Sequence, residues 1–567
     1  MIRLLAVALL AWAGANGQNE NAWYDNGVVY QIYPRSFQDS NGDGIGDLRG
    51  ILQHVDYLAE LGIDAVWLNP IYPSGGADAG YDISNMIAID PVYGTMQDFD
   101  DLLSALKNRS IGLIMDFVPN HTSDKHPWFN ASVYEDPTYK DYYVWHDPNS
   151  IVVNNTSTLS PPNNWISNFD GSMWTYHPQR KQYYLHQFLK EQPDLNYRHP
   201  PVVQAMKDVL TFWLDKGIYG FRMDAVFALI ESQTWQNEPY IGGPVDAYSS
   251  YDHTMTAEQP ETFDILSQFR QHIDAHTSNG PPAKIMMTES YNSNYQDVQK
   301  YYGTQTNPIS TFPFNFFWIQ NGTLETTAAQ WAGLINDWYS KVMPGPWAQP
   351  NFVLGNHDKN RFASRLTPQH TDVMNMLQIM LNGTAVVYFG DEIGLQDAIV
   401  RPDQAVDPVT PSRDPERAPM AWNNTNNGGF TTGKPWLPLA SQYWNVNADA
   451  QRNTNDSHLQ VFKDLIKLRK SNNMTMRSCE VESAGNALII YRALRDHPTI
   501  ISVINLGNLQ ETVDLTKSRS SLPFSLPLMA STLNYQAIAA AENRTLTSVD
   551  TNSVTLPPLS GVVLKTF

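Results

Sequence analysis

With 567 residues, 42% of them hydrophobic and 17% charged, the chain exceeds one compact core and reads as a globular protein of two or three domains. Its net charge of -20 argues against nucleic acid and anionic membrane surfaces, which select basic partners, and is no obstacle to a neutral small-molecule substrate. Cys479 is the only cysteine, which excludes an intramolecular disulfide.

The chain opens with Arg3 ahead of an apolar run, Leu4 to Ala13, and then small and polar residues, Gly14 to Gln18. That order predicts a signal peptide over residues 1–17 and a secreted protein, since the run falls short of the roughly 20 apolar residues that cross a bilayer. No later run reaches that length, so no membrane span is expected. Glycosylation triplets at Asn108, Asn130, Asn321, Asn473 and Asn543 fit a secreted glycoprotein.

Eight apolar strand-like runs follow, at 28–37, 63–72, 112–121, 219–226, 284–291, 309–317, 352–358 and 385–394. Several are continuously hydrophobic, as parallel strands buried on both faces require. Amphipathic helical patterns alternate with them, for example 47–62 and 202–217, each closing on a glycine. Strand then helix, eight times over, predicts an α/β fold of the (β/α)8 TIM-barrel type. Residues 120–189, rich in Pro, Asn, Asp, Trp and Tyr, read as a subdomain inserted after strand 3. Beyond about residue 475 short alternating runs predict a C-terminal antiparallel β domain. The expected bounds are 18–119 and 190–474 for the barrel, 120–189 for the insert and 475–567 for the terminal domain.

Barrel enzymes draw their chemistry from the C-terminal ends of strands. Those ends here carry Asp116, Asn120 and His121 on strand 3, Arg222 and Asp224 on strand 4, Glu289 on strand 5, and His357 and Asp358 on strand 7. Arg222, two residues before Asp224, is placed to keep that carboxylate ionised. A separate loop, 39–47, sets oxygen-bearing residues at alternate positions with Gly44 sixth, as a calcium loop needs. It lacks the preceding helix of an EF-hand and has Gly50 at position twelve, so an Asx-rich turn capping a helix at Asp47 is the competing reading.

These strand-end segments resemble the four signature regions of glycoside hydrolase family 13, the α-amylase superfamily. Gln192-Pro193-Asp194-Leu195-Asn196 is similar to the further marker of its oligo-1,6-glucosidase and maltase branch, insect type. The resemblance implies Asp224 as nucleophile, Glu289 as general acid and base, and Asp358 as the third carboxylate. It implies substrate contacts from Tyr81, Asp82, His121, Phe169, Phe188, Gln192, Arg222, His357 and Arg413, with Asp82 and Arg413 gripping the terminal glucose. It also implies one structural Ca2+ at Asp39, Asn41, Asp43, Ile45 and Asp47. The activity implied is that of a retaining, exo-acting α-glucosidase on maltose, sucrose and short oligosaccharides, with Ala225 favouring α-1,4 over α-1,6 bonds. A sucrose-restricted hydrolase and transglucosylation stay open, as does a non-catalytic receptor or transporter-associated relative, against which the retained Asp224, Glu289 and Asp358 argue. Oligomeric state is not set by the sequence.

Overall fold

The computed structural model describes residues 22–567 apart from 154–155, 278–281, 472–473, 475–476 and 543–545; the expected signal peptide and the Asn473 and Asn543 triplets lie outside the described residues. Eight strands pair in parallel within one sheet: β1 (Val28–Ile32), β2 (Ala65–Leu68), β3 (Gly112–Phe117), β4 (Gly220–Met223), β5 (Ile285–Thr288), β6 (Phe312–Pro313), β7 (Asn351–Val353) and β8 (Thr384–Tyr388). Each lies within or overlaps an expected run. Their order, β6-β5-β4-β3-β2-β1-β8-β7, brings the chain round as a (β/α)8 barrel. Every residue of these strands is buried, which is why the sequence shows apolar runs instead of alternation.

β6 is much shorter than its expected run because Pro313 has no N–H to extend a ladder. The gap to β7 is spanned by the side chain of Asn351, whose Nδ2 donates to the Pro313 carbonyl at 2.7 Å and whose Oδ1 accepts the Asn315 N–H at 2.9 Å.

The expected helix 47–62 is two helices, α1 (Leu48–Gln53) and α2 (Val55–Leu61), capped by Asp47 and by Gly62 at φ 77°. The break falls at His54, where the ring stacks on Trp422 at 3.5 Å and 9° and its Nε2 meets Gln38 Oε1 at 3.0 Å. Those contacts hold His54 out of helical phase, which periodicity alone does not reveal. α3 (Pro200–Asp215) buries Met206, Val209, Leu210, Trp213 and Leu214 on the expected stripe.

Between β3 and α3 the chain leaves the barrel. It forms a three-stranded antiparallel sheet (Trp145–His146, Trp174–His177, Gln182–Leu185) and a separate hairpin. Trp165, Met173, Trp174 and Leu185 give this insert its own apolar centre. After residue 480 six strands pair antiparallel, ending with Ser560–Lys565, around a second core. Buried Arg492 ties that domain to the barrel by donating to the Met380 carbonyl at 3.1 Å and Asn382 Oδ1 at 3.2 Å.

Candidate active site

Three neighbouring strands set the acids. Asp116 on β3 and Arg222 on β4 are register partners. The ladder then runs one residue past the strand ends, with Asp224 N–H donating to the Phe117 carbonyl at 2.8 Å and Glu289 N–H to the Met223 carbonyl at 3.0 Å. Both carboxylates therefore ride on fixed backbone at the barrel's C-terminal rim.

Arg222 is the hub. Its Nη1 bonds Asp224 Oδ1 and reaches Asp116 at 3.0 and 3.2 Å, while its Nη2 pairs with Glu289 Oε1 at 2.8 Å. Glu289 Oε2 accepts the Ala225 N–H at 3.0 Å. Ala225 adopts φ 45° and ψ 38°, a left-handed conformation uncommon for a residue with a Cβ. Asp116 also accepts from Trp67 and Tyr81, each at 3.2 Å, and so anchors Arg222 beneath the acids. Burial raises Asp116 to about 6 against the pull of Arg222. Burial likewise raises Asp224, opposed by Arg222 and reinforced by Glu289.

Asp358 is treated differently. Burial would raise its pKa, but the guanidinium groups of Arg413 and Arg417 hold it below the usual carboxylate range. Arg417 donates to Asp358 Oδ1 at 2.9 Å and to the His357 carbonyl at 2.7 Å. The His357 ring meets Gln31 at 2.9 Å and the Tyr81 hydroxyl at 2.7 Å, and burial keeps its pKa well down. His121, lowered by burial to about 4, faces Asn120 at 2.8 Å and Gln192 at 3.0 Å. Both imidazoles are neutral hydrogen-bonding groups at ordinary pH.

These groups line a cavity of about 420 Å³, within the range of small-molecule sites. Of the residues expected to touch substrate, Tyr81, His121, Phe169, Phe188, Gln192, His357 and Arg413 are in its wall, together with Asp224, Glu289 and Asp358. Arg222 stands behind the acids.

Asp82 is a correction. It is 1% exposed, and its carboxylate accepts Ser74 Oγ at 2.7 Å and the N–H groups of Ala77 and Asp78 at 3.0 Å, pinning a turn. Asp78, four residues earlier, faces the cavity instead and bonds Arg413 Nη2 at 2.8 Å and Gln192 Nε2 at 3.1 Å. Asp82 is engaged by two backbone N–H groups and the Ser74 hydroxyl and is not in the cavity wall, whereas Asp78 is. Arg413 is locked further by Asp407, at 2.7 and 2.9 Å, and its guanidinium lies 5.5 Å from the Phe169 ring.

Sequence reasoning missed Asn168, Phe227, Tyr248, Tyr291 and Lys359 in the cavity wall, and Asp407 behind it. Phe227 and Tyr291 lie three and two residues after the paired acids, a signal that was available; Tyr248 arrives on a long loop and carried none.

The 39–47 loop is wound on its own carboxylates. Asp39 accepts the N–H groups of Asn41, Gly42 and Gly44 at 2.9, 2.7 and 2.8 Å, Asp43 accepts Ile45 N–H at 2.8 Å, and Asp47 accepts Ser40 N–H at 2.8 Å and Gly50 N–H at 2.7 Å. Every donor atom it could offer a cation is oxygen, the chemistry that suits Ca2+. Among the described residues no three acidic, His or Cys side chains cluster closely enough to hold a metal alone, so a cation there would also need the Asn41 amide and Ile45 carbonyl oxygens.

A barrel with an inserted subdomain, a paired-acid rim and a closing arginine defines the α-amylase class, and residues 31–478 match the family described as alpha amylase, catalytic domain. The chain belongs to that family. It is 40% identical to Maltase 1 of Drosophila virilis over 560 residues, covering 96% of this chain and 87% of the relative. It is equally 40% identical to the salivary alpha-glucosidase of Anopheles gambiae, covering 96% and 93% of the two chains. The crystal structure of an alpha-glucosyl transfer enzyme, XgtA, superposes with a TM-score of 0.83 at 30% identity, covering 97% of this chain and 100% of that one.

Proposed function

We propose that the chain is a secreted, retaining α-glucosidase that removes terminal glucose from maltose, sucrose and short α-glucosides. The observation that carries this reading is the Arg222 fork, whose Nη1 and Nη2 each hold an oxygen of a different acid. Acids on adjacent prongs of one guanidinium are close-set, and retention uses carboxyls roughly 5 Å apart, without room for an intervening water.

Asp224 attacks the anomeric carbon while Glu289 gives its proton to the glycosidic oxygen, so the leaving sugar departs as a neutral alcohol. Water then attacks the glucosyl-Asp224 ester, Glu289 takes a proton from it, and Asp224 is released as the carboxylate. Arg222 stabilises the carboxylate that is freed, and Asp358, held ionised, favours a ring that develops positive charge. Asp78 and Arg413 close one end of the cavity, which supports exo action on a terminal unit. The maltase and salivary alpha-glucosidase names of the relatives support the substrate class. Secretion is supported by the salivary relative and by the N-terminal pattern; no helix among the described residues is long and apolar enough to cross a membrane. A structural Ca2+ on Asp39, Asn41, Asp43, Ile45 and Asp47 belongs to the same proposal, supported by the oxygen-only donor set.

The test is glucose release from maltose and sucrose, with NMR following the anomer first formed. α-Glucose is expected first, and Asp224→Asn is expected to cost at least about a thousandfold in kcat. β-Glucose as the first product, or full activity in Asp224→Asn, overturns the mechanism.

A further inference from the structure

A second cavity, of about 460 Å³, adjoins the one described and shares Asn168, Phe227, Tyr248 and Tyr291 as common wall. Its position relative to the acids is informative. Asp78 and Arg413, paired at 2.8 Å, line only the first cavity, whereas Ser290 and Asn292, immediately beyond Glu289, line the second. Glu289 is the group that protonates the leaving oxygen, so the departing sugar lies on this side.

The second cavity carries three carboxylates, Asp252, Glu258 and Asp297, and neither Lys nor Arg lines it. Asp297 is paired with Lys300 at 2.7 Å. Glu258 is held by neutral donors, Asn292 Nδ2 at 2.8 Å, the Tyr301 hydroxyl at 3.0 Å and Ser290 Oγ at 3.4 Å. Burial, with Glu258 adding to it, keeps the Tyr301 hydroxyl protonated. Among the described residues no cation pairs with Glu258 or Asp252 within 4.0 Å. Glu258 is fixed by its backbone too, at φ 53°, with its N–H on the Phe227 carbonyl at 2.9 Å. At the junction the Lys359 ammonium lies 5.5 Å from the Tyr291 ring.

We propose that this second cavity receives the leaving-group sugar, and that Glu258 and Asp252 make it discriminate against an anionic leaving group. The inference rests on the α-glucosidase reading. A carboxylate or phosphate brought among unpaired carboxylates meets repulsion that a neutral polyol does not, and an ammonium meets attraction.

Three substrates with one terminal α-1,4 glucose test it: maltitol (neutral), maltobionate (anionic) and 1-amino-1-deoxymaltitol (cationic). At low ionic strength kcat/KM for maltobionate is expected about tenfold below maltitol, with the amine at or above maltitol. The gap should contract severalfold in about 0.5 M salt and in Asp252→Asn, which alters an exposed side chain, and again in Glu258→Gln. Equal kcat/KM for maltitol and maltobionate while maltose is hydrolysed overturns this inference alone, as does a gap that neither variant nor salt moves. No glucose from maltose or maltitol overturns the α-glucosidase reading and the inference with it.

Discussion

The backbone N–H of Ala225 donates to Glu289 Oε2 at 3.0 Å, so the residue that follows Asp224 in the chain fixes the carboxyl of the opposite acid. The bond exists because Ala225 takes φ 45°, where a β-branched side chain is strained. Ala225→Gly should keep stability within about 1 kcal/mol and most of kcat. Ala225→Val should lose about 1–3 kcal/mol of stability and lower kcat on maltose more than KM changes. Denaturant midpoints and steady-state kinetics decide it; a valine variant equal to the parent in both removes the role of this bond.

Asp78 and Asp82 separate binding from turn stability. Asp78→Asn should cut kcat/KM on maltose on the order of a hundredfold while the melting temperature holds, because Arg413 keeps Asp407. Asp82→Ala should lose about 1–3 kcal/mol of stability, the cost of orphaning the buried Asp78 N–H, the partly buried Ala77 N–H and a hydroxyl, with a smaller kinetic effect. If Asp82→Ala proves the more damaging to kcat/KM, the assignment of the closing carboxylate is wrong.

That pair also shows what the sequence disclosed. The barrel, its eight strands and the rim acids were legible because apolar runs and strand ends are local features, and the paired acids follow from which residues end β4 and β5. The choice between two aspartates four residues apart was not local: it depends on which one the Ser74–Ala77 turn consumes. Asp407 and Tyr248 were invisible for a similar reason, since loops far along the chain bring them in. The break at His54 depends on Trp422, more than 360 residues away, and no helical period encodes that contact.

His186 offers a pH test. Burial lowers its pKa from 6.5 to about 4, and its ring nitrogens meet Thr175 Oγ1 at 2.9 Å and the Phe188 carbonyl at 3.0 Å. A folded-state pKa below the unfolded one contributes stability above pH 6.5 that is lost as pH falls through 4. Over that window the loss amounts to about 3 kcal/mol. His186→Gln should therefore melt below the parent at pH 7 and approach it by pH 4; a difference constant with pH contradicts a neutral, buried His186.

The calcium proposal predicts that a chelator lowers the melting temperature and added Ca2+ restores it, with kcat at low temperature retained, because the loop does not line the cavity of the acids. Asp39→Asn should abolish the calcium response. A melting temperature indifferent to chelator leaves the loop as an Asx-turn cap on α1, the competing reading of the same residues.

The Asn351 amide has a consequence for the sheet's exposure to other chains. β6 and β7 each have one ladder partner, β5 and β8, and face one another without a ladder. A carboxamide bonded to the Pro313 carbonyl and the Asn315 N–H occupies that seam, and Phe312, Phe314 and Val353 pack in one cluster beside it. Neither edge is therefore left as a bare template on which a foreign strand could pair.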